Sequence, residues 1–390
     1  MGNCNSNFPT NTNDNNTTTQ LQLKYIILIQ RVYRNHLTKC KHLQQNITLP
    51  HTPHNPLSSQ GIEIDNLDPT TAVSKRITAR ELQLGKFTYT QLNTTTNASA
   101  LIYKQILYND NTIYQGTLHK QTYTKEGYGI YYTEDGSKYE GGFHNDKFNG
   151  IGRIIYNDGS YYEGEFKDNK QNGYGKFEQD TYVYIGEWKD DLREGKGEEH
   201  YGDGSIFKGI FHDDHKEGIG YLRYPSMKSL EGYFNYKNEI NGICRMISEN
   251  NGYKLSIGQW ERNEMNGVNL FCWDDKSKYM GEYMNFVKNG FGVFLWDDKS
   301  LYEGFWLNGM QHGFGITREY DGNEWCVVLA EWRFGKEVNQ IEEGNEKYEV
   351  KVNEINKCKE RLNDICRELY GINGIEDKEF DKKIMNYVFQ

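Results

Sequence analysis

The chain has 390 residues, a formal net charge of −10 and an apolar content of only 36%. Aromatic residues account for 14% and include 30 tyrosines, so a conventional aliphatic core is not expected and Tyr, Phe and Trp must supply most of the buried surface. The acidic balance argues against nucleic acid as a partner, because phosphate contacts need clustered Lys and Arg. The seven cysteines form no Cys-x-x-Cys pair, which indicates neither a disulfide framework nor a zinc site.

The first residues read Met-Gly-Asn-Cys-Asn-Ser and fit the N-myristoylation pattern, with Gly2 as the acceptor. Cys4 is a candidate for palmitate, and because a single acyl chain binds membranes only marginally, a second signal would matter. Residues 1–20 are therefore predicted to be an acylation signal followed by a flexible polar tether. The sequence shows no signal peptide and no run long enough to span a bilayer. We expect a protein on the cytoplasmic side, at the peripheral membrane or the cytoskeleton.

Apolar residues recur every three or four positions over 23–43, which predicts an amphipathic helix with a basic opposite face in the segment 21–43. This segment resembles the IQ motif, which binds calmodulin and related EF-hand light chains by laying a helix in a groove. The residues that carry the resemblance are Ile29, Gln30, Arg34 and Lys39. The motif's glycine is Asn35 here, and its last arginine is Lys39. The alternative is a helix that packs on the first hairpin of the region that follows, or on lipid.

Residues 44–100 are predicted to be mostly linker, because the proline-rich stretch 50–56 and the low-complexity stretch 93–99 do not favour regular structure. The pattern allows a short helix over about 74–84. Residues 101–113 are predicted to form a degenerate capping hairpin ahead of the first full repeat.

A pattern of aromatic-x-Gly-x-aromatic recurs along the second half of the chain. Tyr162, Gly164 and Phe166 sit at i, i+2 and i+4, so in a strand they share one face, where a neighbouring ring can lie over the glycine. A Gly-x-Gly and a second strand follow, and turn sequences such as Glu-Asp-Gly at 134–136 close the hairpins. A single hairpin is only marginally stable in water, so the unit must repeat for neighbouring hairpins to bury each other's rings. The motif glycines are Gly116, Gly141, Gly164, Gly186, Gly209, Gly232, Gly258, Gly281 and Gly304. A degenerate tenth copy follows at 328–332.

This pattern resembles the MORN repeat, whose signature is Tyr-x-Gly-x-Trp followed by Gly-x-Gly at a period of about 23 residues. The resemblance implies a mainly β fold over 101–335, an elongated single-layer twisted antiparallel sheet of stacked hairpins, with helices at both ends. Cys244 and Asn269 replace the second glycine of Gly-x-Gly in two copies. We expect there either a kink with weakened pairing or a tolerated substitution. The ring and glycine positions are expected to be architectural.

The segment 336–390 follows the repeats and is predicted to be helical, because residues 346–369 carry apolar side chains at helical spacing and Gly371 follows as a stop. Two interpretations remain open for this helix. It is either a cap on the last hairpin, which we favour, or a docking helix for a partner.

Motifs that suggest chemistry all fall in hairpin turns. The stretch HDDH at 212–215 contains metal-ligand residue types, but it occupies the place of a solvated turn in neighbouring copies. WDDKS occurs at 273–277 and 296–300 and lacks the twelve-residue spacing of a calcium loop. No nucleophile is placed with a base. We therefore predict no enzyme and no catalytic, metal or cofactor site.

The leading hypothesis is a non-catalytic scaffold or adaptor. It would be tethered to the membrane by acylation and its basic helix, carry calmodulin or another EF-hand light chain, and bind a structural protein partner on the repeats. The MORN resemblance allows a cytoskeletal, ciliary or cortical complex. The alternative is a phosphoinositide-binding regulatory protein that acts through the repeats, and the acidic charge of the repeats counts against it.

Overall fold

The computed structural model of the chain describes residues 61–63, 75–89, 98–248, 253–320, 322, 324–378 and 380–385. These residues form 22 strands of one open antiparallel sheet, three α-helices and a short 3-10 helix at Ala98–Ala100. The predicted mainly β fold of stacked antiparallel hairpins is confirmed. None of the described helices is long and apolar enough to cross a bilayer.

The described residues fall into two compact units. The N-terminal unit comprises 49–225 and 234–238. Its helix α1 (Lys75–Leu84) forms where the sequence allowed one, inside the segment predicted to be mostly linker. Its strands are β1 (Gly61–Glu63), β2 (Leu101–Tyr108), β3 (Ile113–His119), β4 (Lys125–Tyr132), β5 (Lys138–His144), β6 (Lys147–Ile155), β7 (Tyr161–Lys167), β8 (Lys170–Gln179), β9 (Tyr182–Lys189), β10 (Leu192–His200), β11 (Ile206–His212) and β12 (His215–Arg223).

The C-terminal unit includes 226–233 and 239–390. Its strands are β13 (Lys228–Phe234), whose last residue belongs to the first unit, β14 (Ile240–Ser248), β15 (Tyr253–Glu261), β16 (Glu264–Trp273), β17 (Lys278–Met284), β18 (Val287–Leu295), β19 (Leu301–Leu307), β20 (Met310–Tyr320), β21 (Trp325–Arg333) and β22 (Lys336–Ile341). Its helices are α2 (Glu346–Tyr370) and α3 (Phe380–Met385). Strand β22 thus lies in the segment predicted to be helical.

The two glycines of Gly-x-Gly serve different purposes. Gly173 has φ of 106°, a left-handed conformation that favours glycine, where the pairing of β7 and β8 shifts register between Gly164 and Phe166. Gly175 lies under the ring of Tyr162, whose hydroxyl oxygen would be 2.3 Å from a Cβ at that position. The first glycine therefore permits the bulge, and the second makes room for the tyrosine ring.

The tyrosine hydroxyl completes this arrangement. Tyr162 is fully buried and donates its hydroxyl hydrogen to the backbone carbonyl of Glu165 at 3.0 Å, beside the register shift. Its ring also meets the rings of Phe166 and of Trp188 in the next repeat edge-on, at 5.1 and 5.3 Å between centroids. A buried hydroxyl needs a partner and aromatic pairs favour edge-to-face geometry, so one side chain links two successive hairpins.

The turns add a second link between repeats. Asp168 and Asn169 both have positive φ, as a two-residue hairpin turn of type I′ requires. The side chain of Asn169 accepts a hydrogen bond from the backbone N–H of Phe148 in the preceding repeat, at 2.7 Å. Asp191 does the same for Gln171 at 2.8 Å. Each hairpin is thereby fixed to its neighbour by backbone as well as by ring contacts.

The aromatic-x-Gly-x-aromatic motif is not uniform, as the sequence prediction assumed. Three of the nine copies lack one of its two aromatic residues. Leu118 and Leu230 replace a ring in the copies of Gly116 and Gly232, and Ser256 does so in the copy of Gly258. Asn269 and Gly258 lie opposite each other, as the two glycines do in regular copies, which agrees with the second alternative, a tolerated substitution; the pairing of β15 with β16 has an additional register shift between Tyr253 and Leu255.

Candidate partner-binding surface

The sheet has two faces because side chains alternate along each strand. We call the face that carries the motif tyrosines the ring face and the other face the second face. The ring face is filled by the chain's own side chains. The residues two positions before each Gly-x-Gly form one column across the strands and pack among the rings. In this column, the ring of Phe148 stacks on the ring of Tyr139 at 3.8 Å between centroids. The other described members of this column are Lys125, Gln171, Arg193, Lys216, Ile240, Met265, Lys288 and Gln311.

Charged members of this column are compensated in different ways. Glu199 is 1% exposed and forms ion pairs with Arg193 at 2.6 Å and with Lys216 at 2.8 Å. Burial opposes ionisation of this carboxyl, but the two cations outweigh it and lower the pKa of Glu199 to about 2. This triad stays ionised at neutral pH and ties β10 to β12, so we assign it a structural role.

Lys288 has no carboxylate partner within the described part of the chain. Burial lowers the pKa of its ammonium group to about 7, while surrounding ring faces favour the charged form. The rings and their centroid distances from Nζ are Phe294 at 4.4 Å, Tyr279 at 4.5 Å, Trp306 at 4.6 Å and Trp273 at 5.4 Å. The cage is closed by the protein's own side chains, and it is a structural element of the ring face.

On the second face of the N-terminal unit, α1 covers one part of the sheet. Ile77 is fully buried and packs against Ile155 and Tyr161. Arg80 forms an ion pair with Glu178 of β8 at 2.8 Å. The segment predicted to be linker thus includes a helix that is docked on the sheet.

In the C-terminal unit, α2 covers the second face. The helix packs mainly against β16, β18, β19 and β20, with Ile355, Leu362 and Cys366 buried in the core. Tyr370 donates its hydroxyl hydrogen to the carbonyl of Val268 at 2.9 Å. Gly371 ends the helix in the left-handed conformation, as predicted. The helix lies over a sheet face that spans several hairpins, which is broader than the cap on the last hairpin that the sequence favoured.

Between β8 and β12 the second face of the N-terminal unit carries exposed apolar side chains. Tyr174, Ile219 and Tyr221 are 58%, 43% and 38% exposed. The register places the residues of this face in three rows across the strands. The rows comprise Lys176, Ile185, Glu198, Lys208 and Tyr221; Tyr174, Glu187, Lys196, Ile210 and Ile219; and Glu178, Val183, His200, Ile206 and Arg223. Glu178 marks the edge of this surface, because Arg80 of α1 contacts it. We call this surface the uncovered face.

The charges of the uncovered face are only partly paired. Lys208 forms an ion pair with Glu198 at 2.8 Å, and Lys176 forms one with Glu178 at 2.9 Å. Lys196 and Arg223 form no ion pair with any residue that the structure describes. The three rows carry four cations against the three carboxylates of Glu178, Glu187 and Glu198, so this surface combines exposed tyrosine and isoleucine side chains with a surplus of one positive charge on a chain whose net charge is −10.

The HDDH stretch forms the turn that the sequence predicted. Asp213 and Asp214 are its central residues, both with positive φ. His212 lies 3.2 Å from Glu194, a contact that raises the pKa of the histidine. Ligand atoms of Glu194, His212 and Asp213 lie within 4.8 Å of one another. The equivalent pair three repeats earlier, Glu126 and His144 at 2.9 Å, indicates a recurring turn contact, so we assign no metal here.

The predicted acylation and light-chain sites lie outside the described residues. They are Gly2, Cys4, Ile29, Gln30, Arg34 and Lys39. The uncovered face was not predicted from the sequence, although one signal was available. The central residue of Gly-x-Gly alternates with the rings and must point to the second face, and it is Tyr174 in one copy and Ile219 in another.

Comparison with known proteins supports the repeat assignment. The family model of the MORN repeat matches seven segments of the chain, at 139–161, 162–180, 184–206, 207–226, 257–276, 279–301 and 302–324. The chain therefore contains MORN repeats and is a repeat-based binding or scaffold protein. The matched segments leave out the predicted copies around Gly116 and Gly232, each of which lacks one ring. No curated protein matches the chain.

Solved structures give only weak similarity. The chain is similar to the TCP10c domain of Drosophila melanogaster Sas-4, with 10% identity, coverage of 46% of this chain and 93% of that one, and a TM-score of 0.21. The SAS-4 TCP domain in complex with a proline-rich motif of Ana2 gives 11% identity, coverage of 49% and 91%, and a TM-score of 0.18. A streptogramin B lyase gives 9% identity, coverage of 61% and 81%, and a TM-score of 0.13. These scores are too low to support a shared fold.

Proposed function

We propose that the protein is a non-catalytic scaffold that binds an amphipathic helix of a protein partner on its uncovered face. The observation that carries this proposal is the use of the second face elsewhere in the same chain. Helix α1 docks on it in the N-terminal unit, and helix α2 docks on it in the C-terminal unit. An amphipathic helix is thus the type of element that this face accepts, and the part over β8–β12 has exposed apolar residues with which to receive one more.

The charges on the uncovered face select the chemistry of the partner. Lys196 lies opposite Ile210 in the register, and Arg223 lies opposite Ile206. A partner helix with Leu, Ile or Phe on one side and Asp or Glu along the edge would bury the isoleucines and pair both cations. The chain's own basic segment 21–43 is a poorer occupant, since its lysines and arginines would face the same cations.

The N-terminal segment would determine where in the cell this scaffold acts. Acylation of Gly2 and Cys4 together with the basic segment 21–43 would hold it at the cytoplasmic side of a membrane. A calmodulin-like light chain on Ile29, Gln30, Arg34 and Lys39 would cover part of that basic charge. This part of the proposal rests on the sequence motifs alone, and a cytoskeletal, ciliary or cortical complex is the setting that the repeats favour.

A photo-crosslinking experiment tests the binding surface. Benzoylphenylalanine replaces Tyr221 in the full chain, expressed in its source cells, and replaces Tyr103, exposed on β2 of the same unit, as the matched control. We expect one protein to be crosslinked from position 221 only. That protein, once purified, should bind the wild-type chain and a Tyr103→Asp variant alike, and bind an Ile219→Asp/Tyr221→Asp variant much more weakly. Equal binding by all three, or a crosslink from position 221 to segment 21–43 of the same chain, would contradict the proposal.

The tether is tested with myristoylated full chain in a Cys4→Ser background, so that palmitate does not mask the result. Sedimentation with anionic vesicles is compared with and without calmodulin, in calcium and in chelator. We expect calmodulin to lower the vesicle-bound fraction, because it covers Arg34 and Lys39, and Ile29→Glu to abolish this effect. Calmodulin that binds without moving the vesicle-bound fraction would show that the helix is not shared between the two.

A further inference from the structure

Helix α1 has a small apolar contact with the sheet. Among the described residues of α1 only Ile77 is fully buried, and Leu82 of the same helix is 82% exposed. Helix α2, by contrast, contributes four buried residues to a large apolar core. Because apolar burial supplies most of the free energy that docks a helix on a sheet, α1 is held less firmly than α2.

Two ion pairs also join α1 to the sheet. Arg80 pairs with Glu178 of β8 at 2.8 Å, and Glu81 pairs with Lys138 of β5. The Nε atom of Arg80 is buried and has no hydrogen-bond partner within the described part of the chain. A buried N–H group without an acceptor opposes docking, because it has given up its hydrogen bond to water. The polar contacts of α1 therefore include one that favours its release.

The sheet residues in these ion pairs have second partners on the sheet itself. Glu178 also pairs with Lys176 at 2.9 Å, and Lys138 also contacts Glu140 at 3.4 Å. Breaking a buried ion pair is costly mainly because it leaves an unpaired charge behind. Release of α1 leaves neither Glu178 nor Lys138 unpaired, so this cost does not arise on the sheet.

The segment that follows α1 is attached to the sheet independently. Arg153 donates a hydrogen bond to the backbone carbonyl of Gly85 at 2.9 Å, and its guanidinium group lies 5.2 Å from the centroid of the buried Phe87 ring. The ring of Tyr89 contacts that of Tyr128 at 5.0 Å between centroids. Gly85 has φ of 74°, and a Cβ there would meet no atom within 4 Å. The helix can therefore leave the sheet by rotation at this glycine while the segment after it stays in place.

The site beneath α1 and the uncovered face belong to the same row of the sheet. Tyr161 lies opposite Glu178 in the register, and Ile155 lies opposite Tyr161. The row that contains Glu178 on the uncovered face thus continues under α1 to β6. Ile155 and Tyr161 are 2% and 3% exposed, because Ile77 packs against them. Release of α1 would add both side chains to the apolar surface that a partner can reach.

We propose that α1 is an internal ligand that covers one end of the partner-binding surface, and that the partner helix displaces it. This inference rests on the function proposed above. The enlarged surface spans β6 to β12, or about 29 Å, which a helix of about 19 residues would cover. Helix α2 has 25 residues, so the second face accepts a helix of this length. The partner would place an apolar side chain where Ile77 lies and a cation beside Glu178 in place of Arg80.

Competition of this kind makes the affinity for the partner depend on how often α1 is released. The apparent affinity of a site that is open only part of the time is reduced by the open fraction. Arg80→Gln removes the ion pair with Glu178 and should raise that fraction. Arg76→Gln removes the same charge from an exposed position of the same helix and is the matched control.

Hydrogen exchange of the full chain measures the open fraction, because amides of α1 exchange when the helix is released. We expect exchange in α1 to be severalfold faster in the Arg80→Gln variant than in the wild type, and unchanged in the Arg76→Gln control. Exchange in α2 should be the same in all three proteins. Exchange in α1 that is as slow as in α2 in all three proteins would overturn the proposal.

The protein that is crosslinked from position 221 is the probe for displacement. We expect Arg80→Gln to bind it more tightly than the wild type does, by the factor by which exchange in α1 increases, and the Arg76→Gln control to bind it like the wild type. Exchange in α1 should be faster in the complex than in the free chain. A partner that protects Tyr174 and Tyr221 but leaves exchange in α1 unchanged would overturn displacement alone. If no protein is crosslinked from position 221, the proposed function fails and displacement fails with it.

Discussion

The side chain of Asn269 donates a hydrogen bond to the backbone carbonyl of Gln259 at 3.3 Å. In a regular repeat the equivalent carbonyl accepts from a tyrosine hydroxyl, as Glu165 accepts from Tyr162. In this copy Ser256 stands in the tyrosine's place, and the Asn269 side chain lies over Gly258, where a ring would otherwise lie. The loss of the ring and the loss of the second glycine are thus one coupled change. Leu230 and Cys244 show the same pairing of losses in the copy before it.

This coupling predicts non-additive stability changes. Ser256→Tyr alone should be strongly destabilising, because the new ring would clash with the Asn269 side chain, and Asn269→Gly alone should cost about 1–3 kcal/mol in lost packing and hydrogen bonding. The double variant should recover at least the wild-type free energy of unfolding. Urea unfolding of the four proteins gives the coupling energy. Additive costs in the double variant would show that the two positions are independent.

The hydrogen bond of the motif tyrosine predicts opposite changes in stability for two substitutions at the same position of different repeats. Tyr162→Phe should cost about 1–3 kcal/mol, because it leaves the Glu165 carbonyl without its partner. Phe207 occupies the same position in another repeat and lies over Gly209 and Gly220 without a hydroxyl. Phe207→Tyr should therefore be neutral or stabilising. Thermal unfolding of both variants checks this, and a loss of stability in both would contradict the assigned role of the hydroxyl.

The lowered pKa of the buried Lys288 ammonium group predicts that the free energy of unfolding rises with pH. Its pKa is lowered to about 7 in the folded protein from an unperturbed 10.5, so between these values the unfolded state binds more protons and the free energy of unfolding increases with pH. Lys288→Met places the side chain that Met265 supplies at the same position of another repeat and should lower this slope, most clearly between about pH 7 and pH 8, because burial lowers the pKa of Lys125 and of Lys228 only to about 8. Urea midpoints across that window measure it. A slope between pH 7 and pH 8 that is the same in wild type and variant would assign the titration to another group.

Glu199 predicts the opposite dependence at low pH. Its pKa is lowered to about 2 from 4.5, so its contribution is fully present above pH 4.5 and is lost as the pH falls toward 2. Glu199→Gln should cost about 3–5 kcal/mol at neutral pH, because Arg193 and Lys216 would remain buried without their carboxylate. The difference between wild type and variant should shrink on acidification. Acid titration of both proteins, followed by tryptophan fluorescence, would reject the triad if the difference stayed constant.

The features that repeat along the chain could be predicted from the sequence, whereas features that depend on contacts between residues far apart in the sequence could not. Hairpins, tight turns and both glycines of Gly-x-Gly follow from local spacing, and so do α1, α2 and the stop at Gly371. The face on which α2 lies depends on contacts such as Tyr370 with Val268, and no periodic pattern encodes them. For the uncovered face, the alternation of Tyr174 and Ile219 with the rings predicts which face these side chains share, but not that they are exposed, because that depends on where α1 and α2 dock.

Oxidative footprinting of tyrosines in the protein isolated with its native partners, compared with the purified chain, tests whether the uncovered face binds a partner. Tyr174 and Tyr221 lie on the uncovered face, whereas Tyr103 and Tyr123 are exposed elsewhere in the same unit. We expect Tyr174 and Tyr221 to become protected in the native complex, while Tyr103 and Tyr123 are modified at the same rate as in the purified chain. Equal modification of Tyr174 and Tyr221 in both samples, with protection at Tyr103 or Tyr123 instead, would contradict it.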